Sequence, residues 1–275
     1  IARRTFRFFE ETVIGETHHL PPDNLQLEPP RGIAPRTSPT NIGMYLIACV
    51  SACELFLLDA DTMARRIEQT VSTMEKMEKW HGHLFNWYDI RTLAPLSRRY
   101  VSSVDSGNLA GCLLLTAQAV RSRLSEVDAS LLSLPARLDA LAASMDFSRL
   151  YDPTCDLFFI GVQADTGEHG QSHYDLLASE ARLLSYIALM RREVPIRHWR
   201  RLGRAMTKTR RGAALLSWSG TMFEYLLPAL FLKSPDRTLL GDTCQSAVLD
   251  QIGAFGDGPW GVSESGYYAF DLSLS

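Results

Sequence analysis

Glu180 is the carboxyl whose neighbours in the sequence point most directly to acid–base chemistry. Residues 173–187 are rich in Leu and Ala and contain neither Gly nor Pro, so they predict one continuous helix. The positions three and four residues away from Glu180 share its helix face, and they are Leu176, Leu177, Leu183 and Leu184. Leucine neighbours desolvate a carboxyl and favour the protonated form that a general acid needs. The alternative is a buried structural glutamate that pairs with an arginine from another part of the chain.

Three further parts of the sequence combine aromatic, acidic and small residues at a helix end or in a Gly-rich turn. They are residues 86–89 together with 102–108, residues 217–225 and residues 258–265. Sugar rings present flat C–H faces and many hydroxyls. Aromatic side chains cover such faces, while carboxylates, amides and hydroxyls take the hydrogen bonds. Two carboxyl groups are then sufficient for chemistry at a glycosidic bond.

Several residues in these stretches also have a simple structural explanation. Thr221 and Glu224 have the spacing of a capping box, so Glu224 is more readily explained as part of a helix cap than as a sugar contact. Asp105 is explained equally well by helix capping. Any single tryptophan is a core residue by default, and this applies to Trp87, Trp218 and Trp260.

Glu264 is the second candidate for a functional carboxyl. It follows the turn Gly258-Pro259-Trp260-Gly261, which should expose the residues after it. No helix cap explains a glutamate at this position. We therefore predict that Glu264 is a functional residue.

Composition excludes several classes of function. The chain has 275 residues, enough for one large domain or two small ones, with 46% hydrophobic and 21% charged residues. Its net charge is −3, from 28 basic and 31 acidic residues, so nothing favours binding to nucleic acid or to an anionic membrane. No signal peptide is recognisable, and no apolar run reaches the roughly 18 residues of a membrane span.

The histidines and cysteines do not predict a metal site or a disulfide framework. The five cysteines include no CxxC pair, and Cys49 and Cys53 lie one helical turn apart in an apolar run, as core residues would. His81 and His83 would face the same side of an extended stretch, but no third ligand lies at a useful spacing. We therefore expect neither a metal nor another cofactor.

Hydrophobic periodicity and capping residues predict an all-α fold. We expect helices at residues 2–13, 39–58, 62–79, 106–124, 133–144, 173–192, 195–202, 222–232 and 238–255. Short extended pieces are predicted at residues 80–89, 100–105 and 213–218, with a hairpin at 157–162. The Pro-rich residues 20–39 are either a linker or an ordered segment over a domain surface, and Leu25, Leu27 and Ile33 favour the ordered segment. Consecutive helices without β-α-β alternation favour helix-on-helix packing.

Five long motifs, at residues 36–43, 85–89, 100–111, 174–182 and 217–226, carry a family resemblance. Together they resemble the glycoamylase-like domain of bacterial cyclic β-1,2-glucan synthases. The resemblance runs in order from Ala2 to the last residue, which makes it far more specific than one short pattern.

This resemblance implies a single (α/α)6 toroid over residues 1–275, with the site at one mouth. It implies retaining transglycosylation, in which a linear β-1,2-glucan is cut and closed into a ring without a cofactor. By motif match, Glu180 falls at the acid/base position and Glu264 at the nucleophile position. The residues that fall at sugar-contact positions are Asp89, Asp105, Trp218, Tyr225 and Trp260. Trp87 and Glu224, from the same motifs, complete the set of candidate substrate-binding residues.

The resemblance also implies partners and a location. The expected partners are a β-glucan chain and the other domains of a large synthase. We expect this segment itself to be soluble, on the cytoplasmic side of the bacterial inner membrane. A complete toroid of twelve helices needs more chain than this, so we expect a C-terminally truncated fragment.

Two alternative functions remain open. One is an inverting endo-β-1,2-glucanase of the same fold, and the other is a glucan-binding module without chemistry. The distance between the two carboxyl groups separates retention, at about 5–5.5 Å, from inversion, at about 6.5–9.5 Å.

Overall fold

The computed structural model describes residues 1–96, 98–210, 212–263 and 268–269. Within these ranges the α-helices are α1 (Ala2–Thr12), α2 (Pro39–Glu54), α3 (Ala60–Lys76), α4 (Ser103–Arg121), α5 (Leu134–Ser144), α6 (Arg182–Met190), α7 (Arg197–Arg201), α8 (Met222–Leu226) and α9 (Leu239–Phe255). Short 3-10 helices lie at Gly15–Thr17, Leu124–Glu126, Ala129–Leu131, Phe147–Leu150 and Leu227–Leu230.

The strands are short, and each contains two to four residues. They are β1 (Leu25–Gln26), β2 (Gly32–Ile33), β3 (Arg36–Thr37), β4 (Tyr88–Asp89), β5 (Tyr100–Ser102), β6 (Tyr151–Asp152), β7 (Leu157–Phe159), β8 (Gly161–Gln163), β9 (Glu168–His169), β10 (His173–Tyr174), β11 (Met206–Thr209) and β12 (Gly212–Leu215). The sequence predicted an all-α fold, and the structure confirms its helix-rich character together with these short strands.

The chain forms two compact units. The described residues of the first unit fall within Ile1–Asp146, Gly161–His169 and Gly266–Ser275. Those of the second unit fall within Phe147–Ile160 and Gly170–Ser265.

Helices α2 and α4 pack together in the core of the first unit. Leu46 of α2 and Leu113 of α4 are almost completely buried, and each such side chain contributes about 1.5–3 kcal/mol. Gly43 allows the close approach, because a Cβ there would lie 2.9 Å from the Cys112 Sγ atom. Helix α3 packs on α2, and helix α5 packs on α4 and on α3.

Strand pairing fixes the start of both core helices. β3 pairs with β4 and leads into α2 across the N-cap Ser38, whose hydroxyl accepts from the Asn41 amide at 3.2 Å. β5 pairs with β8 and leads into α4 across the N-cap Ser102, whose hydroxyl accepts from the Asp105 amide at 3.3 Å. These pairings set where the polar side chains of the first helical turns lie.

The second unit combines small sheets with helices. β7 lies between β6 and β10 in one sheet, and β11 pairs with β12 in another. Helix α9 packs on β12 and on α8. The buried residues of this core are Leu157, Leu177, Ala178, Leu202, Leu215, Met222, Tyr225 and Ala247.

The predicted helix at residues 173–192 is wrong in its first half. His173 and Tyr174 form β10 and pair with β7, while Leu176 makes a parallel bridge to Gly203. Helix α6 begins only at Arg182. Backbone pairing with distant segments overrides the intrinsic helix propensity of these residues, because propensity contributes less free energy than tertiary contacts do.

Two smaller expectations are also corrected. Residues 157–162 do not form one hairpin, because β7 pairs with β6 and β10, whereas β8 pairs with β5 and β9. Asp105 lies inside α4 rather than in an extended stretch before it.

The Pro-rich segment before α2 is ordered, as the sequence favoured. Leu20 and Ala34 are completely buried, and β1 pairs with β2. Among the described helices, none combines the length and the apolar composition that crossing a bilayer requires.

Candidate functional site

Glu180 lies in the turn that leads into α6, and its side chain is half-buried. The Leu183 amide donates to the Glu180 carbonyl at 3.1 Å, which begins the first turn of the helix. Because Glu180 precedes the helix, the leucine-lined helix face inferred from the sequence does not exist. Its role as the acid/base stays a prediction that rests on the motif match.

Three contacts fix the backbone around Glu180. The Leu177 amide donates to the Gly203 carbonyl at 3.0 Å, and the Ala181 amide donates to the Ser179 hydroxyl at 3.2 Å. The Arg182 guanidinium donates to the Leu177 carbonyl at 3.2 Å and is 2% exposed. Burial lowers the pKa of Arg182. Arg182 therefore positions the turn that contains Glu180. Its place two residues after Glu180, in the same motif, was the available signal in the sequence.

Trp218 forms an exposed aromatic surface in the second unit. Its side chain is 53% exposed, and its indole N–H donates to the Asp175 carboxylate at 3.2 Å. The ring of Tyr174 lies 6.4 Å from the Trp218 ring, centroid to centroid. An exposed ring with an adjacent carboxylate suits a sugar, which offers a C–H face and hydroxyls together. Sequence reasoning did not select Asp175, although an acidic residue beside a tyrosine in the Glu180 motif was the available signal.

Glu224 is buried beneath this surface and organises the loop that carries Trp218. Its carboxylate accepts from the Ser217 hydroxyl at 3.0 Å and the Trp218 amide at 3.1 Å. It also accepts from the Ser219 amide at 2.8 Å and hydroxyl at 2.6 Å. Burial opposes ionisation, but the hydrogen bonds from Ser219, Ser217 and Trp218 outweigh it, so the pKa of Glu224 is lowered. Glu224 is therefore an ionised group that is saturated by protein donors.

Tyr225 belongs to the core of the second unit. Its side chain is 7% exposed, and its hydroxyl donates to the Leu215 carbonyl at 2.8 Å. This contact secures the end of β12, shortly before Trp218. The geometry makes Tyr225 a support for the loop, with little ring surface left for a sugar.

Trp260 is 48% exposed and lies in a loop that is fixed by Gln251 of α9. The Gln251 side-chain carbonyl accepts from the Gly261 and Val262 amides at 2.9 and 2.8 Å. The Val262 carbonyl accepts from the Gln251 side-chain amide and from the Met222 amide, the latter at 2.9 Å. Sequence reasoning missed Gln251 because its position in the middle of a helix gave no signal. The predicted nucleophile, Glu264, lies outside the described residues.

Asp105 lies at the meeting point of α2 and α4 in the first unit. Its carboxylate accepts from the Thr40 hydroxyl at 2.6 Å and from the Asn86 side-chain amide at 3.1 Å. Asn108 in turn donates to the Thr40 hydroxyl at 3.2 Å. Burial and the charge of Asp105 raise the pKa of Tyr100 to about 12. Asp105 is only half-buried and retains acceptor capacity for a ligand hydroxyl.

Trp87 lies against a buried ion pair in the same unit. Arg36 donates to Asp23 at 2.8 Å, and its guanidinium carbon lies 5.5 Å from the Trp87 ring centre. Asn41 donates to the other Asp23 oxygen at 3.2 Å. Asp23 was missed from the sequence because it stands inside the Pro-rich segment, 13 residues before Arg36.

Asp89 holds a turn of the first unit. Its carboxylate accepts from the Arg91 side chain at 2.7 Å and from the backbone amides of Arg91 and Thr92. The Arg91 side chain lowers the pKa of Asp89, against the opposing effect of burial, and the two amides add to the lowering. The Asp89 carboxylate therefore has more of its acceptor capacity occupied by neighbouring residues of its own loop than the Asp105 carboxylate has.

The structure therefore groups the predicted residues within each unit. In the first unit, Asp105 and Trp87 are linked to neighbouring positions of α2, since Thr40 contacts Asp105 and Asn41 contacts the Asp23–Arg36 pair. In the second unit, Glu224 of α8 accepts from the loop that carries Trp218, and this loop reaches the segment before Glu180 through Asp175.

Comparison of the structure identifies the fold class. A putative glucoamylase from Bacteroides fragilis superposes with a TM-score of 0.76 and 16% identity, over 96% of this chain and 69% of that chain. An endo-β-1,2-glucanase from Chitinophaga pinensis, solved with sophorotriose and glucose, gives a TM-score of 0.75 and 14% identity over 93% of this chain and 65% of that chain. At these identities the likeness establishes a shared fold.

Comparison of the sequence gives a nearer relative. The chain is 32% identical to the cyclic β-(1,2)-glucan synthase NdvB of Rhizobium meliloti, in an alignment of 398 residues that covers 100% of this chain. The chain spans 14% of the length of that relative. No protein-family model matches the sequence. The resemblance to cyclic β-1,2-glucan synthases that the motifs indicated is confirmed.

Proposed function

We propose that this chain is a carbohydrate-active domain that acts on β-1,2-glucan by retaining transglycosylation, closing linear chains into rings. The observation that carries the proposal is the 32% identity to a cyclic β-1,2-glucan synthase along the entire chain. The exposed Trp218 with its Asp175 partner, in the segment before Glu180, supplies a surface suited to a sugar ring.

The proposal includes a single glycoamylase-like domain with the (α/α)6 toroid arrangement. Its support is that one solved chain of putative glucoamylase aligns with 96% of these residues. The two buried helices α2 and α4, each preceded by a paired strand, are the described elements that suit the inner layer of such a toroid.

In the proposed reaction, Glu180 donates its proton to the glycosidic oxygen while the carboxylate of Glu264 attacks the anomeric carbon. The glycosidic bond breaks, the leaving sugar departs with a new hydroxyl, and a glycosyl ester of Glu264 forms. Glu180 then removes the proton from the 2-hydroxyl at the other end of the same chain. That oxygen attacks the anomeric carbon and displaces Glu264, which closes the ring.

The remaining residues bind and position the glucan in this proposal. Trp218 and Trp260 offer exposed ring faces, and Asp105 accepts from sugar hydroxyls. Arg182 and Gln251 act through the segments they fix, so they are positioning residues.

The larger setting is also part of the proposal. The chain spans 14% of a synthase, so we propose that other domains of a large membrane-bound synthase are its partners, on the cytoplasmic side of the bacterial inner membrane. Fractionation of cells that produce the full-length protein tests the membrane location, and recovery in the cytosolic fraction alone would contradict it.

The decisive experiment is incubation of the full-length protein with linear β-1,2-glucan, followed by separation of linear from cyclic products. We expect Glu180→Gln to reduce ring formation by about 10²- to 10⁴-fold, because an amide cannot donate or accept the proton. The matched control is Glu168→Gln, which changes an exposed glutamate on β9 and should leave the rate unchanged. Near-normal cyclisation by Glu180→Gln would remove the proposed role of Glu180.

The same incubation separates the alternatives. An inverting endo-β-1,2-glucanase gives shorter linear chains whose new ends have the opposite anomeric configuration, which proton NMR detects at early times. A binding module without chemistry retains the glucan and changes nothing during long incubation.

A further inference from the structure

Three side chains with different metal-binding atoms converge within the second unit. They are Asp152, Cys155 and His173, and one ligand atom of each lies within 4.8 Å of the others. All three side chains are half-buried, so they are shielded but accessible to an ion. The grouping is distinct from the exposed Trp218 surface and from the residues proposed to carry the glycosidic chemistry.

The sheet of the second unit places these side chains. Asp152 ends β6 and pairs with Leu157 of β7, while His173 begins β10 and pairs with Phe159 of the same strand. Cys155 lies in the turn between β6 and β7. Because β7 fixes both flanking strands, the carboxylate and the imidazole are held by backbone pairing.

Further contacts orient the ligand atoms. One Asp152 oxygen accepts from the Thr154 amide at 2.8 Å and from the Thr154 hydroxyl at 2.6 Å. The other oxygen lies 2.9 Å from the His173 Nε2 atom. The Phe159 ring lies 4.8 Å from the His173 ring at an angle of 31°, which fixes the imidazole plane. Outer contacts of this kind orient ligands in protein metal sites.

In the metal-free group the carboxylate is held ionised and the thiol is held protonated. Hydrogen bonds from Thr154 lower the pKa of Asp152, against the opposing effect of burial, and His173 and Cys155 contribute to the lowering. Burial raises the pKa of the Cys155 thiol, and the hydrogen bond to Asp152 adds to it, while Arg201 acts in the opposite direction. A divalent cation would replace the thiol proton and the Asp152–His173 hydrogen bond with three direct bonds.

We propose that Asp152, Cys155 and His173 bind Zn²⁺ or a similar transition-metal ion. One thiolate, one imidazole and one carboxylate form a mixed set that suits Zn²⁺, and Ca²⁺ or Mg²⁺ would require oxygen ligands. Three protein ligands leave a fourth tetrahedral position for water or a hydroxyl group. The ion would join the β6–β7 turn to β10, the strand that leads to Asp175 and the Glu180 turn.

The test is titration of the metal-free chain with Co²⁺, which reports thiolate coordination through a charge-transfer band in the near ultraviolet. We expect the band to saturate at about one ion per chain, and Zn²⁺ to abolish it by displacing Co²⁺. Cys155→Ser should remove the band, and His173→Gln should weaken Zn²⁺ binding at least about tenfold in competition with a chromophoric chelator. Zn²⁺ should also raise the thermal midpoint of the wild-type chain and leave that of Cys155→Ser unchanged.

Two controls make the result specific. Cys244→Ser changes another half-buried cysteine of the same unit, and His169→Gln changes an exposed histidine of β9. Both should keep the band and the affinity. The site is overturned if wild type shows no thiolate band at saturating Co²⁺, or if Cys155→Ser retains it. Because the readout on wild type needs no variant and no activity, it is independent of whether the chain cyclises glucan.

Discussion

Asp105 in the first unit and Glu224 in the second occupy the same kind of position and are held in different ways. Each lies three residues after the N-cap of a helix. The Asp105 amide donates to the hydroxyl of the N-cap Ser102, and the Glu224 amide donates to the hydroxyl of the N-cap Thr221. The Asp105 carboxylate accepts from Thr40 and Asn86, which lie 65 and 19 positions away. The Glu224 carboxylate accepts from donors that lie five to seven positions away.

This difference in partners leaves the two carboxylates with different remaining capacity to accept hydrogen bonds. Glu224 is 5% exposed and receives four hydrogen bonds from the loop before α8, so it has little capacity for a ligand. Asp105 is half-buried and receives two side-chain hydrogen bonds. Two acidic residues with the same local sequence pattern are therefore held differently. Glu224 anchors a loop, while Asp105 keeps acceptor capacity that suits the sugar contact proposed for it.

The largest effect is expected from Glu224→Ala. Removing the carboxylate leaves the partly buried Trp218 and Ser219 amides without their charged acceptor, which should cost about 3 kcal/mol of unfolding free energy. Urea denaturation followed by circular dichroism measures the loss. Asp236→Ala, an exposed change in the same unit, should stay within about 0.5 kcal/mol of wild type. A stable Glu224→Ala variant that no longer binds glucan would reverse the assignment.

An intermediate effect is expected from Asp105→Asn, and it should change glucan affinity more than the free energy of unfolding. The amide keeps one acceptor for Thr40 but turns a donor towards the Asn86 amide, so the group loses charge and one hydrogen bond. We expect the Kd for linear β-1,2-glucan, measured by calorimetry, to rise about tenfold, which corresponds to about 1.4 kcal/mol. Asp139→Asn alters an exposed ion pair with Arg121 in the same unit and should not change the Kd. An unchanged Kd in Asp105→Asn would remove Asp105 from the binding site.

The smallest expected effect is a dependence of the unfolding free energy on pH that arises from Glu224. The pKa of Glu224 is lower in the folded chain than its ordinary value, so the ionised carboxylate stabilises the fold above the unfolded-state pKa of about 4.3. This contribution disappears as the pH falls through the folded-state pKa. We therefore expect the difference in unfolding free energy between wild type and Glu224→Gln to shrink between pH 7 and pH 3. A difference that stays constant over this range would contradict an ionised Glu224.

Capping residues and apolar periodicity predicted several helices closely. Ser38 with Pro39 starts α2 as expected, and Thr238 caps α9 through the Gly241 amide at 3.2 Å. These signals succeed because a cap and the helix it begins are only a few residues apart, so the energy that selects them is local.

The same reasoning failed where distant segments meet. The leucines before Glu180 predict a helix, but β10 pairs with β7, and Leu176 pairs with Gly203. The exposed state of Trp218 and the convergence of Asp152, Cys155 and His173 were equally inaccessible. Each depends on backbone pairing or packing between residues that are far apart in the chain.

The sequence by itself determined the helix-rich class, the starts of α2 and α9, and the motifs that carry the resemblance to cyclic β-1,2-glucan synthases. Only the tertiary structure decided that Glu180 precedes its helix, that the loop before α8 saturates Glu224, and that Asp105 joins α2 to α4. The physical reason is the range of the forces involved. Caps and periodicity act within a few residues, whereas the exposure and the partners of a carboxylate are set when distant segments pack together.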